Sequence, residues 1–176
     1  MLHRCFAITA CLLAEPVYSR SKFGGLNDPK TVELKSKTNC QVAPKVPFLG
    51  QHGDDKVVFD IFFSNPLKCK GTVVEIGGLN GKRLSNSWFF EYALNWRALL
   101  VEALPTNFAE MVVNRPDATN IFGAVCTGKS IKFRTGIGPA TGGIDSDMSQ
   151  GHIDQWTNDN ATVLEVPCVQ IGRAHV

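Results

Sequence analysis

Gly71-Thr-Val-Val-Glu-Ile-Gly-Gly-Leu-Asn-Gly81, read together with Leu99-Leu-Val-Glu102 downstream, decides how this chain folds. Thr72-Val-Val-Glu-Ile76 is a short β-branched run stopped by glycines, the pattern of a buried parallel strand. Gly77, Gly78 and Gly81 carry no Cβ, so the backbone can take positive φ and a ligand can approach the main chain. Ser85-Asn86-Ser87 offers capping oxygens, and Phe89, Phe90, Ala93 and Leu94 recur at helical spacing, which predicts a helix over 86–94. Leu99-Leu-Val101 makes a second apolar strand. Glu102 then falls at its carboxyl end, the edge at which open α/β sheets bind ligands.

The separation from Gly81 to Glu102 is 21 residues, close to the ~20 expected between a glycine turn and a ribose-binding acid. It narrows the ligand to an adenosine-containing cofactor. A dinucleotide site wants G-x-G-x-x-G, in which the middle glycine admits the pyrophosphate to the helix N-terminus. Here the reading is E-x-G-G-x-x-G, with Glu75 two residues before the first glycine. That pattern is closer to the first motif of S-adenosylmethionine-dependent methyltransferases, and it disfavours a nicotinamide-dependent oxidoreductase.

Several linked stretches carry a more specific likeness. Gly71-Thr-Val-Val-Glu-Ile-Gly77, Ser85-Asn-Ser-Trp-Phe-Phe-Glu91, Leu100-Val-Glu-Ala-Leu-Pro105, Asn107-Phe108 and Asn114-Arg-Pro116 together resemble the FkbM-type methyltransferase family over residues 48–168. Upstream, Gln51-His-Gly-Asp-Asp-Lys56 resembles an S-Q-x-G-Q-D-K element found in a branch of that family. It departs by having Gly50 in place of serine and Asp54 in place of glutamine. The resemblance implies a Rossmann-like class I methyltransferase fold, three layers α/β/α around a mostly parallel sheet. It also implies an S-adenosyl-L-methionine-dependent O-methyltransferase acting on a hydroxyl of a sugar or related metabolite. Glu75, Gly77, Gly78 and Gly81 would frame the cofactor's methionine end, and Glu102 with Ala103 would hold its ribose. Asn86, Asn107 and Val125 are further candidate contacts.

Three strands can be placed securely in 176 residues, a length for one domain, where this fold normally has seven. The third covers 120–125. Ile131-Lys-Phe133 reads as a short extension and 162–169 as another extended run. The family's acidic D-x-E-G-x-E-like strand end does not occur, so the carboxyl half of the sheet is expected to be missing and no catalytic residue can be named. Ile171-Gly-Arg-Ala-His-Val176 reads as a translated sequencing adapter and is excluded from fold reasoning. The chain is accordingly read as an incomplete copy of a longer protein, inactive by itself.

Residues 1–19 open with Met1-Leu-His-Arg4 and an apolar run to Ala14, the pattern of a secretory signal peptide. The run is shorter than the about 20 apolar residues of a membrane span, so an uncleaved anchor is the second choice. Residues 20–47 lack periodicity and read as a poorly ordered linker or arm, leaving 48–170 as the partial methyltransferase domain. Removing Cys5 and Cys11 with the leader leaves Cys40, Cys69, Cys126 and Cys168. These four allow two bridges in three connectivities, or buried free thiols, and their spacing does not suit zinc. Asn160-Ala-Thr162 is a glycosylation acceptor triplet. The expected location is the secretory pathway or outside the cell, with the cytoplasm as the alternative.

Net charge is +2, and the lysines at 30, 35, 37 and 45 are spread along the arm, so nucleic acid is not an expected partner. The expected partner is a small-molecule or glycan acceptor. Residues 136–160 do not fit a calcium-loop template despite their aspartates, and read as a solvated loop. His152 and Trp156 stand there as acceptor contacts or loop anchors. Trp88, Phe89 and Phe90 are expected in the core, Trp96 as packing before the second strand, and Glu91 as a solvent-facing or capping group. Phe108, Met111 and Val112 are expected to face the sheet. The competing functional class is a catalytically silent binding or trafficking module with the same fold.

Overall fold

The structure, a computed structural model, describes residues 40–170. The leader, most of the arm and the 171–176 tail lie outside the described residues. Strand β1 (Thr72–Ile76) pairs in parallel with β2 (Arg97–Glu102), which pairs in parallel with β3 (Thr119–Phe122), giving the order β1-β2-β3. Ile76 lies opposite Val101, so the glycine turn and Glu102 leave the sheet at the same edge. Parallel neighbours need a crossover. The first is supplied by α2 (Trp88–Leu94), the second by α3 (Pro105–Asn114), which starts on a proline whose fixed φ suits a first helical turn. Preceding them is α1 (Asp54–Phe62).

The core explains the sequence pattern. Phe89, Phe90, Ala93 and Leu94 of α2, Val73, Ala98 and Leu100 of the sheet, Met111 of α3, and Phe63 and Trp96 form one buried cluster, with Val58 and Phe59 of α1 against it. The two crossover helices α2 and α3 therefore share one face of the parallel sheet, as right-handed crossovers running in one direction require, and α1 packs on the same cluster. On the other face Val101 is buried, Val74 and Leu99 are half-buried and Ile76 is exposed. Among the described residues this sheet has two layers, and the expected second helical layer is not present. Val112 is 43% exposed rather than facing the sheet. Trp88 is only half-buried, its ring against Tyr92 and under the Lys82 ammonium.

The later strands do not extend the parallel sheet. Gly123, at φ 154°, separates β3 from β4 (Ala124–Val125), so the single strand expected over 120–125 is two. A Cβ there would come within 2.7 Å of the Pro167 carbonyl oxygen, which is why the break falls on glycine. Strand β4 pairs in parallel with β7 (Val163–Val169), which pairs antiparallel with β5 (Ser130–Arg134), and β5 with β6 (Gly143–Ile144). This second sheet has the order β4-β7-β5-β6. Ala103, Ala124 and Val166 are its buried core.

The stretch expected as a solvated loop is instead built. It contains β6, a 3-10 turn at Asp145–Asp147 and α4 (Gln150–Trp156), capped by Ser149. Arg134 Nε donates to Asp145 at 2.6 Å, His152 Nε2 lies 3.0 Å from the Thr141 carbonyl oxygen, and Ile137 N donates to the Trp156 carbonyl at 2.8 Å. The His152 ring thus anchors the loop, whereas Trp156 takes part through its backbone carbonyl and its side chain is 37% exposed.

The four described cysteines form Cys40–Cys69 and Cys126–Cys168, which selects one of the three connectivities. The first bridge corrects the domain boundary at 48. Cys40 is tied down, Ala43 N donates to the Ala93 carbonyl at 2.8 Å, and Val46 packs on the main core. The last residues of the arm therefore belong to the domain. Among the described residues no helix is long and apolar enough to cross a membrane.

Candidate functional site at the carboxyl edge of the parallel sheet

The site grows out of β1 and β2. Gly77 N and Gly78 N both donate to the Val101 carbonyl, at 2.8 and 3.1 Å, so the turn is hung from the neighbouring strand. Gly77 and Gly81 have φ of 77° and 79°, values that only glycine adopts without penalty. Space is open where a Cβ on Gly77 would point. Gly78 serves another purpose: its φ is not positive, and a Cβ would strike Met111 Sδ at 2.7 Å. Leu79 completes the turn at φ 49°.

Two carboxylates hold this turn in place. Glu102, 4% exposed, accepts from Leu79 N at 2.8 Å on one oxygen and from Leu104 N at 2.8 Å on the other. Asn107 Nδ2 reaches Glu102 at 3.5 Å and donates to the Pro139 carbonyl at 2.9 Å. Glu75 accepts from Asn86 N and Ser85 Oγ at 2.8 Å and from Ser87 Oγ at 2.5 Å. The 85–87 segment is thereby clamped to β1. This delays α2 to Trp88, two residues later than the spacing predicts, and Ser85 Oγ caps it by accepting from Trp88 N at 3.1 Å.

Sequence reasoning missed the residue that binds these parts together. Arg115, wholly buried, forms an ion pair with Glu91, with Nε donating at 2.6 Å. Its Nη1 donates to the Gly81 carbonyl at 2.8 Å and to Ser85 Oγ at 3.1 Å, and its Nη2 to Ser87 Oγ at 3.1 Å. Glu91 is therefore an ion-pair partner with its side chain 8% exposed, at the wall of a cleft at the amino-terminal edge of the sheet, not a solvent-facing or capping group. The signal was present in Asn114-Arg-Pro116, whose Asn114 also donates to the Asn80 carbonyl at 2.7 Å.

The structure thus brings together Glu75, Gly77, Gly78, Gly81, Asn86, Glu102 and Asn107. Ala103 is buried beside Glu102 but belongs to the second core. Val125 is 37% exposed in β4, opposite Val169, away from the turn in the pairing. The Oδ1 of Asn86 is buried with no hydrogen-bond partner. A Cβ at Gly50 would meet this oxygen at 2.4 Å and Asp55 Oδ1 at 2.7 Å, so the serine of the resembled pattern would require both side chains to shift. Asp55, 2% exposed, accepts instead from Leu49 N and Gly50 N, at 2.8 and 3.0 Å.

Burial pushes the Glu102 carboxyl above its ordinary range, while the amides of Leu104 and Leu79 draw it part of the way back. A carboxyl raised in the folded state contributes stability that is complete below its unfolded pKa of about 4.3 and lost as pH rises through the folded value. Urea denaturation over a pH series is expected to show this falling limb, and Glu102→Gln to flatten it. An unchanged limb in the variant would assign the titration to another group.

An open cleft of about 530 Å³ lies at the opposite, amino-terminal edge of the sheet, lined by Lys70, Tyr92, Asn95, Trp96, Arg97 and Asp117 with Glu91. It contains neither the glycine turn nor Glu102, so this cleft and the chemistry point to different edges. The chemistry is the better guide, because the carboxyl edge has the open glycine and the unpartnered acceptor.

The fold and site define a mixed α/β chain with a parallel sheet and a glycine turn braced by two acids. Compared with protein-family models, curated proteins and solved structures, the chain matches none.

Proposed function

We propose that the carboxyl edge binds S-adenosylmethionine and that the chain is part of a Rossmann-like O-methyltransferase acting on a hydroxyl of a sugar or related metabolite. The observation that carries this reading is the open, positive-φ Gly77 in a turn that the buried Glu102 holds through Leu79 N, with Asn86 Oδ1 buried and unpartnered in the neighbouring 85–87 segment. An ammonium is a natural donor to the Asn86 oxygen, and vicinal hydroxyls are natural donors to Glu102. Glu75 frames the methionine end through Ser85, Asn86 and Ser87 rather than by direct contact, since its oxygens are already engaged by them. When bound, the cofactor supplies an electrophilic methyl group. These residues hold and orient it, which is where most of the acceleration of such a transfer arises.

A second reading, a catalytically silent module, is favoured by one feature. Both acids already accept hydrogen bonds from protein donors, as they would in a purely structural turn. The two disulfides support passage through an oxidising compartment, the secretory pathway, for either reading.

Calorimetric titration of the chain with S-adenosylmethionine separates the two. Binding is expected, and Glu102→Ala is expected to weaken it by about 1.5 to 3 kcal/mol, the scale of hydrogen bonds to a charged group. Absence of binding to a folded chain favours the silent module, and binding that ignores Glu102→Ala removes its ribose role.

A further inference from the structure

The turn between α4 and β7 presents a side chain that no part of the proposed transfer uses. Residues 158–161 reverse the chain: Ala161 N donates to the Asn158 carbonyl at 2.9 Å, and Asn160 N donates to Asn158 Oδ1 at 3.0 Å. Asn158, Asp159 and Asn160 are all exposed. The carboxamide of Asn160 makes no hydrogen bond among the described residues, so nothing competes for its nitrogen. Two residues on, Thr162 is exposed as well, and its hydroxyl lies 3.5 Å from Thr135 Oγ1, at the outer limit of a hydrogen bond. Asn160-Ala-Thr162 is the one Asn-x-Ser/Thr triplet without proline in the whole sequence, and it falls on an exposed turn, where a bulky polar addition costs no packing.

Both disulfides lie in the same described region, and the second, Cys126–Cys168, closes a loop that contains this turn. Disulfides of this kind form in the compartments where asparagine is glycosylated. The sequence itself opens with a charged start and an apolar run of signal-peptide type.

We propose that Asn160 is an N-glycosylation site, taking an oligosaccharide from a lipid-linked diphosphate donor. The bond formed joins Asn160 Nδ2 to the anomeric carbon of the first sugar. The bond broken is that carbon's link to the diphosphate oxygen, which leaves with the electron pair while the amide gives up one proton to base. No oxidation or reduction takes place. The glycan attaches just before the start of β7 in the second sheet, whereas the glycine turn and Glu102 belong to the first.

Expression of the full 176-residue chain in secreting animal cells, behind its own leader and separately behind a foreign cleaved leader, tests this. Amidase treatment is expected to lower the apparent mass by one glycan step in both, and peptide mass spectrometry to find Asn160 converted to an aspartyl residue. Asn160→Gln and Thr162→Ala are each expected to abolish the step and Thr162→Ser to keep it, with thermal unfolding showing that the variants remain folded. No step in either expression overturns the proposal. A step seen only behind the foreign leader overturns it as a property of this chain, and a step that survives Asn160→Gln overturns the assignment of the residue.

Discussion

Arg115→Met is expected to cost about 3 to 5 kcal/mol of folding stability, the range for removing one partner of a buried ion pair. Methionine replaces most of the apolar stem but leaves the Glu91 carboxylate, its side chain 8% exposed, without a counter-charge. It also strips donors from the Gly81 carbonyl and from Ser85 and Ser87. Leaving a charge buried and unpaired is costlier than never having had the pair. The double variant Glu91→Leu/Arg115→Met should therefore be more stable than Arg115→Met alone, and the coupling read from the double-mutant cycle is expected to exceed about 1 kcal/mol. Urea denaturation measures all four corners. A loss below about 1 kcal/mol in the single variant would mean that water reaches Glu91, and would withdraw Arg115 as the brace of the turn. The same variant should loosen the 77–81 turn, so that any cofactor affinity falls in proportion to the hydrogen bonds lost at Gly81.

The contrast between what the sequence revealed and what it hid follows from the range of the interactions involved. Thr72–Ile76 was legible because a β-branched run ended by two glycines is a local signal, and the structure places the strand at those residues. The helix after Pro105 was legible for the same reason. The start of α2 was missed by two residues because it is set by Glu75, eleven residues away, clamping Asn86 N before the helix can begin. Arg115 was read only as part of a motif, since its partners Gly81, Ser85, Ser87 and Glu91 are 24 to 34 residues distant. No periodicity encodes such a contact. The second sheet was hidden differently: β5 and β7 were seen as extended runs, β4 as part of the third strand and β6 as loop, and their reversal against the parallel sheet depends on Gly123 and on the pairing of β5 with β7. At the site, the acids and glycines were found. That both acids are engaged by the protein could be learned only from the fold.

The second large effect concerns Cys126–Cys168. Among the described residues the main cluster contains ten buried residues, whereas the second sheet buries only Ala103, Ala124 and Val166, with Cys126, Ile131, Phe133 and Leu164 half-buried around them. So small a core gives the β4-β7-β5-β6 sheet little hydrophobic stabilisation of its own. The bridge joins residues 42 apart, and closing a loop of that length removes about 4 kcal/mol of unfolded-state entropy in the chain-entropy estimate. Cys126→Ser/Cys168→Ser is accordingly expected to lose about 3 to 4 kcal/mol, and to lose it locally. Amides of β5 and β7 should exchange with deuterium far sooner than those of β1 and β2, which keep the larger core. Strand β4 links the two sheets: two residues long, it follows Gly123, whose N donates to the Glu102 carbonyl at 2.9 Å. Fraying of the second sheet would reach the candidate site through that bond, although the Glu102 side chain is held independently by Leu79 and Leu104. Simultaneous exchange of both sheets in the serine variant would show a single cooperative unit and sink the idea of a separately stapled subdomain. Sequential exchange would assign the disulfide the role that a larger apolar core performs elsewhere.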